Sequence, residues 1–127
     1  MDKTPANEGA TLRLLELSFD TTQWLLEQTS GFPKRYRQSL TARIELAAIE
    51  TLELLTSASY RKGRQKLPLL QSASDRINQL RVLMRLAYSL RLISHERFEE
   101  CARRLVESGA LMGGWLRQQQ REPPHVC

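Results

Sequence analysis

Apolar residues recur along this chain at spacings of three, four and seven, and the runs break where its few glycines and prolines fall. That period belongs to helices. The first run, from about Ala10 to Ser30, carries Leu14, Leu17, Trp24, Leu25 and Gln28 on one side, and Gly31 stands where a left-handed residue would close it. Phe32 precedes a proline and is biased toward extended backbone, while Pro33 suits the first turn of a second helix because its missing N–H has no partner there. So short a link predicts antiparallel neighbours. The second run extends from Pro33 to about Tyr60. At about 100° per residue, Tyr36, Leu40, Ile44, Ala47, Leu54, Leu55 and Ala58 share one arc, while Ala42, Leu46 and Ile49 form a narrower second patch. One arc faces a core; the other asks for a partner.

The polar stretch from Arg61 to Lys66, with Gly63 inside it, reads as a loop. A third helix is expected from Leu67 and Pro68 to about Leu92. Its apolar positions Leu80, Val82, Leu83, Met84, Leu86, Ala87 and Leu90, with Ile77 at the margin, are wider than a stripe facing a single core, which predicts subunit contacts there. Ser94 is placed to cap a fourth helix, with Glu96 complementing the dipole of its first turn. Phe98, Cys101, Ala102, Leu105, Met112, Trp115 and Leu116 line that helix. Gly109, Gly113 and Gly114 inside it each cost roughly 1 kcal/mol relative to alanine, so a close approach of another backbone is expected to offset them. No strand pattern interrupts these runs. The fold class is all-α: an up-down-up-down four-helix bundle over residues 11–120, between a flexible segment 1–10 and a flexible tail 121–127 carrying Pro123 and Pro124.

Charge changes the picture by being segregated. Lys34, Arg35, Arg37 and Arg43 fall between residues 31 and 43 without an acid, and Arg61, Lys62, Arg64, Lys66, Arg76, Arg81, Arg85 and Arg91 fall between 61 and 91 against Asp75 alone. These stretches hold 12 of 19 basic residues in a chain of net charge +5. Such clustering is the footprint expected for a partner rich in phosphate or carboxylate. At 127 residues, 41% hydrophobic and 26% charged, the composition is that of one ordinary globular domain. Uncharged runs are too short for a membrane span and the N-terminus lacks the pattern of a signal peptide, so a cytoplasmic protein is expected, with no membrane partner. Cys101 and Cys127 form neither a disulfide framework nor a zinc spacing; they read as a small core residue and a tail thiol.

Three stretches taken in order resemble a known family: Phe32-Pro33-Lys34-Arg35-Tyr36-Arg37, then Leu80-Arg81-Val82-Leu83-Met84-Arg85-Leu86-Ala87, then Leu111-Met112-Gly113-Gly114-Trp115-Leu116. They are similar to the accessory variability proteins of diversity-generating retroelements, over about Leu12 to Arg117. The same motifs resemble the related four-helix bundles encoded by intervening sequences of 23S ribosomal RNA. The first resemblance implies a bundle assembled into a five-fold barrel, a homopentamer with a basic surface. It implies partners too: the retroelement's reverse transcriptase and template RNA, and possibly DNA, in support of error-prone complementary-DNA synthesis. No catalytic centre and no cofactor are implied. By position, Lys34, Arg35 and Arg37 match the family's basic opening of helix two and Arg81 and Arg85 its helix-three arginines; Gly113, Gly114 and Trp115 match a packing signature.

The residues themselves agree with a binding protein better than with an enzyme. His95 and His125 have no cysteine or carboxylate partner at ligand spacing, Ser94 reads as a cap, and Glu99 and Glu100 point about 100° apart on a helix. There is no glycine-rich phosphate loop. Lysine and arginine would contact phosphates by counterion release, with little base reading. Tyr36 and Tyr60 are the candidate stacking platforms, since Trp24, Trp115 and Phe98 lie on apolar faces. Two readings follow: an accessory nucleoprotein subunit using the twelve basic residues above, or a helical oligomer of the ribosomal intervening-sequence type. In the second, the arginines meet Glu45, Glu50 and Glu53 of a neighbouring subunit and no nucleic acid is bound.

Overall fold

The computed structural model describes residues 6–121. Within them lie four α-helices and no strand: α1 Ala6–Thr29, α2 Ala42–Tyr60, α3 Lys66–Ser89 and α4 His95–Arg121. Helix α1 contacts α2 and α4, and α3 contacts α2 and α4, so the helices stand in chain order around a square with alternating direction. Residues 1–5 and 122–127, with His125, Cys127 and most of the expected flexible ends, lie outside the described residues. Helix α1 begins at Ala6, four residues ahead of the expected start.

The links depart from the sequence expectation in instructive ways. Gly31 is not left-handed; among the described residues the positive-φ glycine is Gly63, at 56°. The end of α1 tightens instead, through Gly31 N–H to the Gln28 carbonyl at 3.4 Å and Phe32 N–H to the Thr29 carbonyl at 3.0 Å. Pro33 is extended, at φ −59° and ψ 147°, and precedes the next helix rather than opening it. The chain then makes a 3₁₀ turn, Lys34–Tyr36, and a π turn, Arg37–Thr41, before α2. The apolar spacing gives the reason. Tyr36, Leu40 and Ile44 follow one another at intervals of four, wider than the 3.6 of an α-helix, and an underwound turn keeps them on the core side.

Helix α3 ends at Ser89, short of the expected Leu92. Arg91 there is left-handed at φ 62°. Leu92 N–H donates to the Ala87 carbonyl and Arg91 N–H to the Tyr88 carbonyl, each at 2.9 Å, which is a Schellman closure with arginine where glycine is usual. Ser94 caps α4 as its sequence suggests, its Oγ accepting from Arg97 N–H at 3.2 Å.

Leu14, Leu25, Ile44, Leu55, Leu70, Met84, Cys101 and Met112 are fully buried and draw on all four helices. A layer of hydroxyls crosses the core. Ser18, Thr21, Thr22, Thr51 and Ser108 are all buried; Thr22 Oγ1 donates to the Ser18 carbonyl at 2.7 Å and lies 3.2 Å from the Ala48 carbonyl of α2, whereas Thr21 Oγ1 has no partner among the described residues. The α4 glycines correct an expectation. A Cβ on Gly109 would stand 2.5 Å from Arg81 Nη2, and one on Gly113 would stand 3.3 Å from Nη1 of Arg117 on the same helix. The space they leave is filled by guanidinium groups rather than by a neighbouring backbone.

Candidate nucleic-acid interface

Alternating helix direction sorts the basic residues to two ends. The α1–α2 and α3–α4 turns share one end, here the head; the α2–α3 turn meets the C-terminus of α4 at the other, the foot. Helix α2, with 19 residues, spans about 28 Å at 1.5 Å per residue. That exceeds the roughly 8 Å screening length at physiological salt. Head and foot on one protomer are therefore electrostatically separate, although the sequence shows them as one basic half-chain.

Lys34, Arg35 and Arg37 are exposed at the head, as is Arg91. The underwound entry to α2 projects the first three, and the Arg35 guanidinium lies 5.0 Å from the centre of the Tyr36 ring. Acids share this end, since Glu96 and Glu99 stand in the opening turns of α4. The head also corrects an expectation about His95. Its Nε2 stands 3.2 Å from Glu99 Oε2 and its Nδ1 3.0 Å from the Tyr88 hydroxyl, while the Tyr88 ring stacks on Phe98 at 4.5 Å. An i to i+4 carboxylate was there to be read in the sequence. With Nε2 facing a carboxylate, a neutral imidazole keeps its proton on that side and accepts from Tyr88 at Nδ1.

Arg61, Lys62 and Arg64 are exposed at the foot beside Tyr60, which is 82% exposed and so free to stack. The 3₁₀ turn Gly63–Gln65 contacts α4, and Lys66 Nζ lies 5.4 Å from the centre of the Trp115 ring, tying that turn to the last third of α4. This brings in Arg117 and Arg121, both exposed, which the sequence clusters omitted because they lie fifty residues further along the chain. The signal available was α4's return to the foot in an up-down-up-down fold. No acid occurs between Glu53 and Asp75 or between Glu107 and Glu122. The α2–α3 link and the end of α4 thus hold bases only, while α1, which also starts at the foot, carries Glu8 in its first turn.

The other predicted residues lie along the sides. Arg43 and Arg85 are exposed. Arg76 pairs with Glu50 across α2 and α3 at 3.6 Å. Arg81 is committed within the fold: its Nη2 donates to the Leu105 carbonyl of α4 and its Nη1 to Asn78 Oδ1, both at 3.3 Å. Between α1 and α4 a cleft is lined by paired charges, Arg13 with Glu107 at 2.8 Å and Glu100 with both Arg103 and Arg104. The Arg103 hydrogen bond is the largest influence on the Glu100 carboxyl and, with the Arg104 hydrogen bond and both positive charges, holds it below its ordinary value although burial pushes the other way. The Arg104 guanidinium also lies 5.2 Å from the Trp24 ring centre, so Trp24 is half-buried under a cation rather than central in the core. Burial pushes the Cys101 thiol up to about 12, which leaves it protonated and inert. Among the described residues no group of three or more His, Cys, Asp or Glu could hold a metal ion, and no helix is long and apolar enough to cross a membrane.

These observations define a helical bundle that carries its distinctive chemistry as surface charge at its two ends. A family model described as bAvd-like matches residues 16–119. With most of its length matched, the chain belongs to the bAvd-like family, whose members are accessory, non-catalytic proteins. No curated protein matches it.

Proposed function

We propose that this chain is the accessory subunit of a diversity-generating retroelement. It works as a homo-oligomer, a pentamer in the form the family resemblance implies, in the cytoplasm. There it binds the reverse transcriptase and the template RNA, through phosphates, and so supports mutagenic complementary-DNA synthesis. The observation that carries the nucleic-acid part is the foot, where exposed Tyr60 leads into exposed Arg61, Lys62 and Arg64, and where α4 ends with exposed Arg117 and Arg121. Cations without competing carboxylates release counterions from a phosphate backbone, and an exposed aromatic ring offers a face to unstacked bases. Little base discrimination is expected, so specificity falls to the polymerase and to RNA shape.

The test is fluorescence anisotropy of labelled RNA across a salt series, with an Arg61→Glu, Arg64→Glu variant beside the unaltered chain. Affinity should fall steeply with salt, and removal of two phosphate contacts should flatten the log–log slope by about 1.4, at about 0.7 per contact for single strands. The reverse transcriptase should copurify. Absence of binding at low salt, or a variant with an unchanged slope, refutes the nucleic-acid role and favours basic residues that serve protein assembly.

A further inference from the structure

Phe98, Ala102 and Val106 follow one another at intervals of four along α4, and between them and Met84 of α3 lies a pocket of about 120 Å³. Leu105 and Cys101, both buried, complete its apolar walls. The Tyr88 ring, stacked on Phe98 at 4.5 Å, holds that wall in place. Roughly 150 Å³ accommodates benzene, so the pocket has the size of one aliphatic side chain. It is reached from solvent, since Val106 in its lining is 64% exposed. Among the residues that line it, Arg81 alone is charged.

That arginine is held in place before any ligand arrives. Its guanidinium occupies the space Gly109 leaves and is fixed by bonds to Asn78 Oδ1 and the Leu105 carbonyl. A guanidinium has five N–H groups, so three are left over. Arg85 is exposed one turn nearer the head, about 6 Å along α3. From Arg76 to His95 the chain has no acid. On α4, Glu100 and Glu107 line the cleft toward α1 instead, and Glu99, next to Phe98, stands 3.2 Å from His95 Nε2. An apolar pocket thus opens beside two arginines that no carboxylate neutralises. We propose that the α3–α4 side docks an acidic amphipathic helix of a partner protein. One aliphatic side chain of that helix fills the pocket, and carboxylates about one turn apart meet Arg81 and Arg85. RNA fits less well: phosphates would reach the arginines, but apolar walls offer nothing to a base edge or a ribose. The assignment goes beyond the proposed function, which requires a protein partner but gives it no surface. It also lies in the head half of the bundle, away from the foot.

The test uses the full chain and a labelled peptide of about 18 residues, long enough to form a helix, built on alanine with leucines along one face and glutamates flanking them. A twin peptide carries lysine in place of each glutamate. By fluorescence anisotropy the glutamate peptide should bind and the lysine peptide should not. Val106→Glu puts a carboxylate in the pocket lining and Arg85→Glu reverses a charge beside it; each should weaken binding by about tenfold. Arg43→Glu, on α2 and outside the pocket, should leave binding unchanged. All three positions are exposed, so helicity by circular dichroism should be unaltered. A glutamate peptide that does not bind, a lysine peptide that binds equally well, or an equal loss from Arg43→Glu overturns the proposal. Arg85→Glu should also leave the RNA salt slope unchanged; a flattened slope would make this side a phosphate site and overturn it too. The nucleic-acid reading is decided separately, by the foot variant described above.

Discussion

Arg91 is held at φ 62°, a conformation that costs an L residue about 1–2 kcal/mol and that glycine adopts freely. The residue has no room to relax, because both closing bonds of α3, from Leu92 N–H to Ala87 and from Arg91 N–H to Tyr88, require it to be left-handed. Arg91→Gly removes that strain. Glycine also loosens the unfolded chain, which takes back roughly 0.5–1 kcal/mol, so the net gain should be about 0.5–1 kcal/mol. For a chain of 127 residues, at about 2.1 cal/mol/K of unfolding entropy per residue, that corresponds to a rise in Tm of about 2–4 °C. The assay is a thermal melt followed by far-ultraviolet circular dichroism, with Arg91→Ala as the control that keeps a Cβ in the same conformation and should show no rise. A lower Tm for the glycine variant, or an equal rise for alanine, refutes the strain argument. Arg91 lies at the head, remote from the foot where RNA is proposed to bind, so the same glycine variant should leave the RNA salt slope unchanged. A flattened slope would mean that phosphate meets the head as well.

Arg81 and Gly109 should behave as a coupled pair. Arg81→Ala loses the bond to the Leu105 carbonyl, worth about 1 kcal/mol, whereas Arg85→Ala at an exposed site should stay within about 0.5 kcal/mol of the unaltered chain. Gly109→Ala gains about 1 kcal/mol of helix propensity but evicts the guanidinium that stands 2.5 Å from its new Cβ. It should thus be near neutral alone and stabilising by about 1 kcal/mol in the Arg81→Ala background; additive denaturation energies in this cycle would refute the coupling. Thr21→Val deletes a buried hydroxyl that has no partner among the described residues and should be neutral or stabilising by up to about 1 kcal/mol. A clear loss of stability would mean that the hydroxyl is bonded in solution.

Helix number, order and the inward arcs were legible in the sequence because each follows from local periodicity. Leu14, Ile44, Leu55, Met84, Leu105 and Met112 are buried where their spacing put them, and the second patch on α2, Leu46 and Ile49, is exposed as that spacing also implies. What periodicity missed depends on geometry between segments. The left-handed residue that closes α3 is an arginine, so no glycine flagged it. The π turn at Arg37–Thr41 was hidden because a four-residue spacing is compatible with an α-helix until two such intervals in succession must face one core. Arg81 looked like a free surface cation because its acceptor is a backbone carbonyl 24 residues away. The exposed stripe of Leu12, Phe19 and Leu26 is masked in the sequence because one apolar residue every two turns looks like background beside the stronger inward arc of α1.

The separation of head and foot bears on how so small a bundle could hold RNA. One foot offers a handful of cations, each weakly attractive at physiological salt, and the head lies too far away to add to the same contact. In the proposed pentamer every copy points the same way along the axis, since a cyclic assembly repeats one rotation. All feet then gather on one rim and all heads on the other. The foot rim would include the acid-free link from α2 to α3, and a strand following it would meet successive copies of Arg61, Arg64 and Tyr60 in what becomes an intramolecular series of contacts. The head rim, where Arg91 and Lys34 share space with Glu96 and Glu99, has the mixed charge suited to a protein surface rather than a phosphate backbone. On this arrangement the two partners of the proposed function need not compete.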